Sequence, residues 1–279
     1  MSGAELVSIV PGWAPADSPG EALLPGRRPR WSEPARSTLR ALRTARSAAR
    51  RLSETRRSLR RRLLRCEDAA EATRVRALAL SRVAAELCRD LGLRTIVRGP
   101  LPAGPVVLVA NHLGWIDPLL VAGILPCAPI AKAELGSWPF VGAGAREHGV
   151  AFVERGNAAS GARALLRARH ALRAGTAVLN FPEGTTTAGP DPIDFHRGIF
   201  GLARRTGTPV VPVAISVDDP SLCWTGDATF LPHFARTAAR GGVARIAFGA
   251  AMTPARYASP EDLAAEAHDS IVHLLRGGA

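Results

Sequence analysis

The sequence predicts an α/β fold, a mixed and mostly parallel sheet flanked by helices, with a basic helical extension at its N-terminal end. Three observations carry this. Beyond Gly92, short β-branched runs alternate with longer helical stretches, the texture of strands joined by crossover helices. Before it, residues 35–65 are rich in Arg, Ala and Leu with no Gly or Pro, which reads as one continuous helix. Charge is also partitioned. Residues 27–65 hold fifteen arginines against Glu33 and Glu54, a net of +13 where the whole chain carries +12.

In chain order, residues 1–34 are Pro-, Gly- and Ala-rich without periodicity and are expected to be disordered. Residues 35–68 form the arm. Leu39, Leu42, Ala45, Ala49, Leu52, Leu59 and Leu63 recur at spacings of three, four or seven with arginines between them, an amphipathic basic helix. Residues 69–279 form the main domain, large enough for one substantial core. Its first helix, 69–91, stops at Gly92. Strands are predicted at 95–98, 106–110, 128–132, 150–153, 177–181, 210–216 and 243–248, and helices at 118–124, 157–174, 195–206, 230–240 and 260–275.

Cys66, Cys88, Cys127 and Cys223 show no metal-ligand or redox spacing, so no metal or resident cofactor is called for. The N-terminus lacks a basic segment followed by an apolar run, and the thiols read as reduced and buried. The uncharged stretch 118–131 contains three prolines and falls short of the roughly 20 apolar residues of a membrane span.

Two constellations carry chemistry. The run 106–110 ends in Asn111-His112-Leu113-Gly114-Trp115-Ile116-Asp117-Pro118, at the carboxyl end of a strand, where open α/β sheets place their sites. His112 is a candidate general base and Asp117 the carboxylate that would hold its ring in one tautomer. Asp117 also reads as an N-cap with Pro118 at the first helical position. A His and an Asp at this spacing arise by chance in roughly a quarter of chains of such composition, and a capping Asp beside a satisfied loop His is the plainer reading of the pair alone. The second constellation is Asn180-Phe181-Pro182-Glu183-Gly184-Thr185-Thr186-Thr187, again after a strand. It reads either as a close backbone approach to a ligand with hydroxyl donors beside it, or as a capped Gly turn.

With these motifs in place the chain resembles the 1-acylglycerol-3-phosphate acyltransferase family. Asn111 to Asp117 is similar to its first block, and Lys132-Ala133-Glu134-Leu135 with residues 138–142 and 150–155 to its second. Phe181 to Thr185 is similar to the third, and Pro209 to Ala214 to the fourth. The resemblance spans about residues 80–250 and implies a glycerolipid acyltransferase-like fold. It implies direct transfer of a fatty acyl group from acyl-CoA or acyl carrier protein, as co-substrate, to a lyso-lipid hydroxyl. His112 would be the base and Asp117 its orienting partner. It further implies substrate binding by Lys132, Arg155, Glu183, Gly184, Thr185 and Thr186. One departure matters. The family has a basic residue where this chain has Thr186, which weakens a phosphate clamp. Arg197 is the candidate to compensate, and otherwise the acceptor carries another head group, as in the lyso-ornithine lipid and lysophospholipid branch.

The arm fits attraction to anionic lipid, which implies a peripheral enzyme on the cytoplasmic membrane face of a bacterium. A solvated helix resting on the core is the alternative. Fifteen arginines also fit nucleic acid, but with Trp31 the one aromatic among them and no DNA-binding motif this weighs less. A thioesterase or esterase on the same fold stays open, although no G-x-S-x-G elbow is present. Cys127 and Ser137, near the His block in sequence, read as a core thiol and a helix cap.

Overall fold

The computed structural model describes residues 33–137, 141–154, 156–189, 191–225 and 229–278. The disorder expected for 1–34 lies outside the described residues except for Glu33 and Pro34, which open a helix. In order the elements are α1 (Glu33–Leu63), α2 (Ala69–Asp90), β1 (Leu93–Arg98), β2 (Val107–Ala110), α3 (Asp117–Ile124), β3 (Cys127–Lys132), α4 (Val141–Glu147) and β4 (Ala151–Val153). There follow α5 (Ala158–Arg173), β5 (Ala177–Asn180), α6 (Gly198–Thr206), β6 (Val210–Val217), α7 (Phe230–Arg240), β7 (Gly242–Phe248) and α8 (Pro260–Leu275).

Every predicted strand is present with its ends moved by a residue or two. Helix α4 was not predicted. It carries two glycines, and Gly142 lies so close to the Gly136 carbonyl that a side chain there would collide with it. The caps are visible in the sequence. Asp68 accepts the Glu71 amide, Asn157 accepts the Ser160 amide, and Ser259 with Asp262 forms a capping box ahead of Pro260.

The seven strands are ordered β1-β7-β6-β2-β5-β3-β4. All neighbours are parallel except β6 and β7, so the mixed, mostly parallel sheet is the one expected. The central strand β2 is buried along its whole length, and its side chains alternate between two cores. Leu108 and Ala110 meet α2 and α3, whereas Val107 and Val109 meet α5, α6 and α8. From β2 the chain crosses to β3, and from the adjacent β5 it crosses the other way, to β6. These diverging connections open a crevice at the carboxyl ends of β2 and β5, the switch point of an open sheet.

Helix α1 docks on α7, α2 and α4. Leu59 is buried on α2, and Ala41 and Leu52 reach the main core. Arg51 pairs with Glu86 at 2.8 Å and Asp90 at 2.5 Å, and Glu147 receives Arg56 at 2.7 Å and Arg60 at 2.5 Å. The apolar stripe read from the sequence therefore splits. Leu52, Leu59 and Leu63 face inward, but Leu39, Leu42, Ala45 and Ala49 lie on the open side. Acids on α2 and α4 choose the seam by drawing in arginines, and periodicity within one helix cannot register partners on others.

The Glu147 clamp gives a pH prediction. Hydrogen bonds from Arg56, reinforced by Arg60, hold its carboxyl down at about 2, below its ordinary 4.5. Its contribution is complete above the unfolded value and disappears as pH falls through the folded one. Between about pH 5 and pH 3, denaturant titrations should show the unaltered protein losing more stability than Glu147→Gln. Equal losses would show that this clamp does not hold α1.

Candidate active site

The site is built on the ends of β2 and β5. As β2 ends, the buried Asn111 side chain replaces a backbone pair. Its amide nitrogen donates to the Ile215 carbonyl at 2.9 Å, and its oxygen accepts the Ile215 N–H at 2.7 Å. The chain leaves the sheet with its path fixed, and His112 follows at once.

The turn from 112 to 117 closes on one carboxylate oxygen. Asp117 Oδ2 accepts from His112 Nδ1 at 2.7 Å, from the Leu113 N–H at 2.6 Å and from the Gly114 N–H at 2.7 Å. Asp117 is fully buried. Its role as N-cap is not what forms. Ile116 occupies the cap position, Asp117 is the first helical residue, and its carboxylate bonds backward into the turn. That turn is tight enough for the His ring to compete for the same oxygen. Because the carboxylate only accepts, the His112 proton sits on Nδ1 and the Nε2 lone pair is left for a substrate proton.

The other side of His112 is held by the loop after β5. Phe181 stacks on its ring with centroids 4.2 Å apart and planes at 23°. Glu183 Oε1 accepts the His112 backbone N–H at 2.7 Å, and the Thr187 N–H donates to the His112 carbonyl at 2.8 Å. Glu183 Oε2 takes the Ile193 N–H and the Thr187 hydroxyl, both at 3.1 Å. Burial raises the Glu183 carboxyl pKa against these donors.

A cleft of about 930 Å³ opens over His112. It is apolar along Ile130, Leu165 and Ile199. Lys132, Glu134, Glu154, Thr185 and Thr186 bring polar groups, and Trp115, Trp224 and His196 complete its walls. Lys132 Nζ lies 2.8 Å from Glu134, so this cation enters the cleft as half of an ion pair. Gly184 lines the cleft with φ of +66°, and a Cβ there would stand 3.1 Å from the His196 ring. Both its conformation and its neighbour favour glycine.

The structure thus brings together His112, Asp117, Lys132, Gly184, Thr185 and Thr186. It moves two other candidates away. Glu183 does not line the cleft, because its carboxylate is consumed by the backbone on either side of His112 and it braces the two loops. Arg197 points out to the surface and pairs with Glu261 at 2.5 Å, while its neighbour His196 faces the cleft instead. Arg197 therefore cannot compensate for Thr186 in this arrangement. Arg155 lies outside the described residues, between Glu154 and Gly156, which both line the cleft. Sequence reasoning missed Phe181, Trp115 and His196 as site residues. An aromatic just before Pro182-Glu183-Gly184 was the available signal for the first.

Two of the four thiols, Cys88 and Cys127, are buried in the core. Burial pushes both Cys88 and Cys127 up to about 12. Cys223, half-buried, is raised by burial and by the charge of Asp117. All four cysteines are free, but Cys66 and Cys223 are only partly buried, a correction to the expectation for those two.

Residues 92–216 match the acyltransferase family model, a span that runs from just before β1 to the end of β6. The lyso-ornithine lipid O-acyltransferase of Pseudomonas aeruginosa is 38% identical over 159 residues, 54% of this chain and 60% of that protein. The protein of the same name from Rhodobacter capsulatus is 33% identical over 201 residues, 67% of this chain and 72% of its own. The 1-acyl-sn-glycerol-3-phosphate acyltransferase of Neisseria gonorrhoeae is 33% identical over 149 residues, covering 52% and 56%. In fold, the chain is similar to the crystal structure of the 1-acyl-sn-glycerophosphate acyltransferase of Thermotoga maritima, with a TM-score of 0.69 at 23% identity over 88% of this chain and 97% of that one. With a third of the residues identical across 72% of the Rhodobacter protein, the chain belongs to the acyltransferase family that includes the lyso-ornithine lipid and 1-acyl-sn-glycerol-3-phosphate acyltransferases.

Proposed function

We propose that this protein transfers a fatty acyl group from acyl-CoA or acyl carrier protein to the hydroxyl of a lyso-lipid, with lyso-ornithine lipid as the favoured acceptor class. The observation that carries the chemistry is the 2.7 Å contact between His112 Nδ1 and Asp117 Oδ2 at the cleft. Nε2 of His112 takes the acceptor proton as the hydroxyl oxygen attacks the thioester carbonyl. The buried carboxylate of Asp117 stabilises the resulting imidazolium. Collapse of the tetrahedral intermediate breaks the C–S bond, and the imidazolium returns the proton to the departing thiolate. No acyl-enzyme is needed.

The acceptor reading rests on charge. Thr186 lines the cleft where the family resemblance calls for a basic residue, Lys132 is paired with Glu134, and Glu154 adds a second acid. Such a wall suits a head group carrying both an ammonium and a carboxylate, as ornithine does, better than a phosphate monoester, which calls for forked cationic donors. The similarity to the Pseudomonas and Rhodobacter proteins points the same way.

The enzyme would work from a membrane surface, peripherally and on the cytoplasmic side. No described helix is long and apolar enough to cross a bilayer. The open face of α1 presents Arg43, Arg46 and Arg57 beside Leu39 and Leu42, and each arginine near anionic lipid is worth about 1 kcal/mol. Reversing these three arginines to Glu should weaken co-sedimentation with phosphatidylglycerol vesicles. Unchanged binding would remove this face from the membrane contact.

The test of the reaction is thiol release from acyl-CoA and from acyl carrier protein, measured with a panel of lyso-lipids. Release should require an acceptor and be fastest with lyso-ornithine lipid. Preference for lysophosphatidate would overturn the acceptor class. Release without acceptor would replace transfer by thioester hydrolysis.

A further inference from the structure

We infer that His233 is a positioning residue for this reaction: it clasps the indole of Trp115 against α7 and so sets the cleft wall beside His112. Trp115 sits on the catalytic turn, three residues after His112 and two before Asp117, and lines the cleft. Its indole Nε1 lies 3.0 Å from His233 Nδ1. An indole N–H only donates, so Nδ1 must accept and the His233 proton must sit on Nε2. That nitrogen lies 3.1 Å from the Cys223 carbonyl, to which it donates. Both ring nitrogens are thereby used by a side chain that is 3% exposed, and only the neutral Nε2–H tautomer satisfies both contacts.

The two segments that His233 joins also meet each other. The Trp224 N–H donates to the Leu113 carbonyl at 2.7 Å. Gly114 lies so near Trp224 that a Cβ would stand 3.2 Å from its backbone nitrogen. Each segment carries a tryptophan of the cleft wall. Phe230 and Phe234 of α7 close on Trp115, with centroids 5.3 Å and 5.9 Å away. The indole is thus held by its polar edge and packed against Phe230 and Phe234, and Trp115 lines the cleft together with His112. Burial, with the charge of Arg236 after it, lowers the His233 pKa against the Cys223 carbonyl. Trp115 in this orientation bounds the acceptor's place next to Nε2 of His112, so loosening the clasp weakens acceptor binding without touching the base.

The kinetic part of this inference rests on the acyl-transfer reading. Three variants separate the two bonds. In His233→Asn the amide oxygen takes the place of Nδ1 and can still accept from Trp115. In His233→Gln the amide nitrogen takes the place of Nε2 and keeps only the Cys223 contact. His233→Leu keeps neither. The acceptor KM should stay near that of the unaltered protein in His233→Asn and rise about tenfold in the Gln and Leu variants, with kcat within about twofold and donor KM unchanged. Trp115→Phe, which keeps an aromatic ring but loses the donor, should match His233→Leu, and the double variant should add nothing.

Fluorotryptophan labelling reads the clasp without activity. The fluorine resonance absent from Trp115→Phe should shift in His233→Gln and His233→Leu but not in His233→Asn. Equal KM in all three His233 variants, or an unmoved Trp115 resonance in His233→Leu, overturns the inference. If no lyso-lipid accepts an acyl group, the transfer reading fails while the resonance still decides whether the clasp exists.

Discussion

Replacing His112 by Ala should lower acyl transfer by about a thousandfold or more while the melting temperature stays close to that of the unaltered protein. The reason for the rate loss is geometric. Nδ1 is committed to Asp117 at 2.7 Å, which leaves Nε2 as the nitrogen that the proposed mechanism uses as base, on a residue that lines the cleft. Cys127, the cysteine nearest to His112 in sequence, is buried with its pKa pushed up to about 12. The reason for the retained fold is that the neighbouring loops are tied through the His112 backbone, whose N–H and carbonyl bond to Glu183 and Thr187. Those bonds survive the substitution. The checks are single-turnover kinetics with acyl-CoA and a lyso-lipid, alongside thermal unfolding. A variant retaining most of its activity would dismiss His112 as the base, and a large fall in melting temperature would make the site's loss of activity uninterpretable as chemistry.

Asp117 should give a different pattern, with Asn milder than Ala in stability. Three donors converge on Oδ2, two of them backbone amides of the turn. An Asn amide oxygen in that place can accept all three, keeping the turn and the His112 tautomer but losing the negative charge beside the imidazolium. Turnover should fall by about a hundredfold, and because Oδ1 is buried without a partner the new amide nitrogen goes unsatisfied there, at a cost of about 1–3 kcal/mol. Asp117→Ala leaves buried donors without acceptors, at a cost of about 3–5 kcal/mol, and transfer should be lost with it. Denaturant titration and kcat measured on both variants decide this. Equal destabilisation by Asn and Ala would show that the charge of Asp117, rather than its place as acceptor, holds the turn.

Much of this architecture is legible in the sequence because it is local. The strands announce themselves as β-branched runs, and the caps at Asp68, Asn157 and Ser259 lie within three residues of the amides they bind. The pairing of His112 with Asp117 spans one turn, so spacing alone could propose it. Position at the end of a buried strand and the companion blocks gave that spacing its meaning. Lys132, Gly184, Thr185 and Thr186 belong to blocks that the sheet order carries to one crevice.

What the sequence could not show depends on partners remote along the chain. Glu183 read as a ligand-facing acid, yet it braces the His112 backbone seventy-one residues away. Arg197 read as a cleft cation, yet Glu261 on α8 draws it to the surface and leaves His196 inside. The arm read as one apolar stripe, yet only its Leu52, Leu59 and Leu63 face inward, on a seam where acids of α2 and α4 pair with its arginines. The sequence by itself determined the strands, the helices and the turn that pairs His112 with Asp117, because each is decided by neighbours along the chain. Only the tertiary structure decided which charged side chains meet substrate and which meet each other, because Coulomb attraction and burial act through space between groups that sequence order keeps far apart.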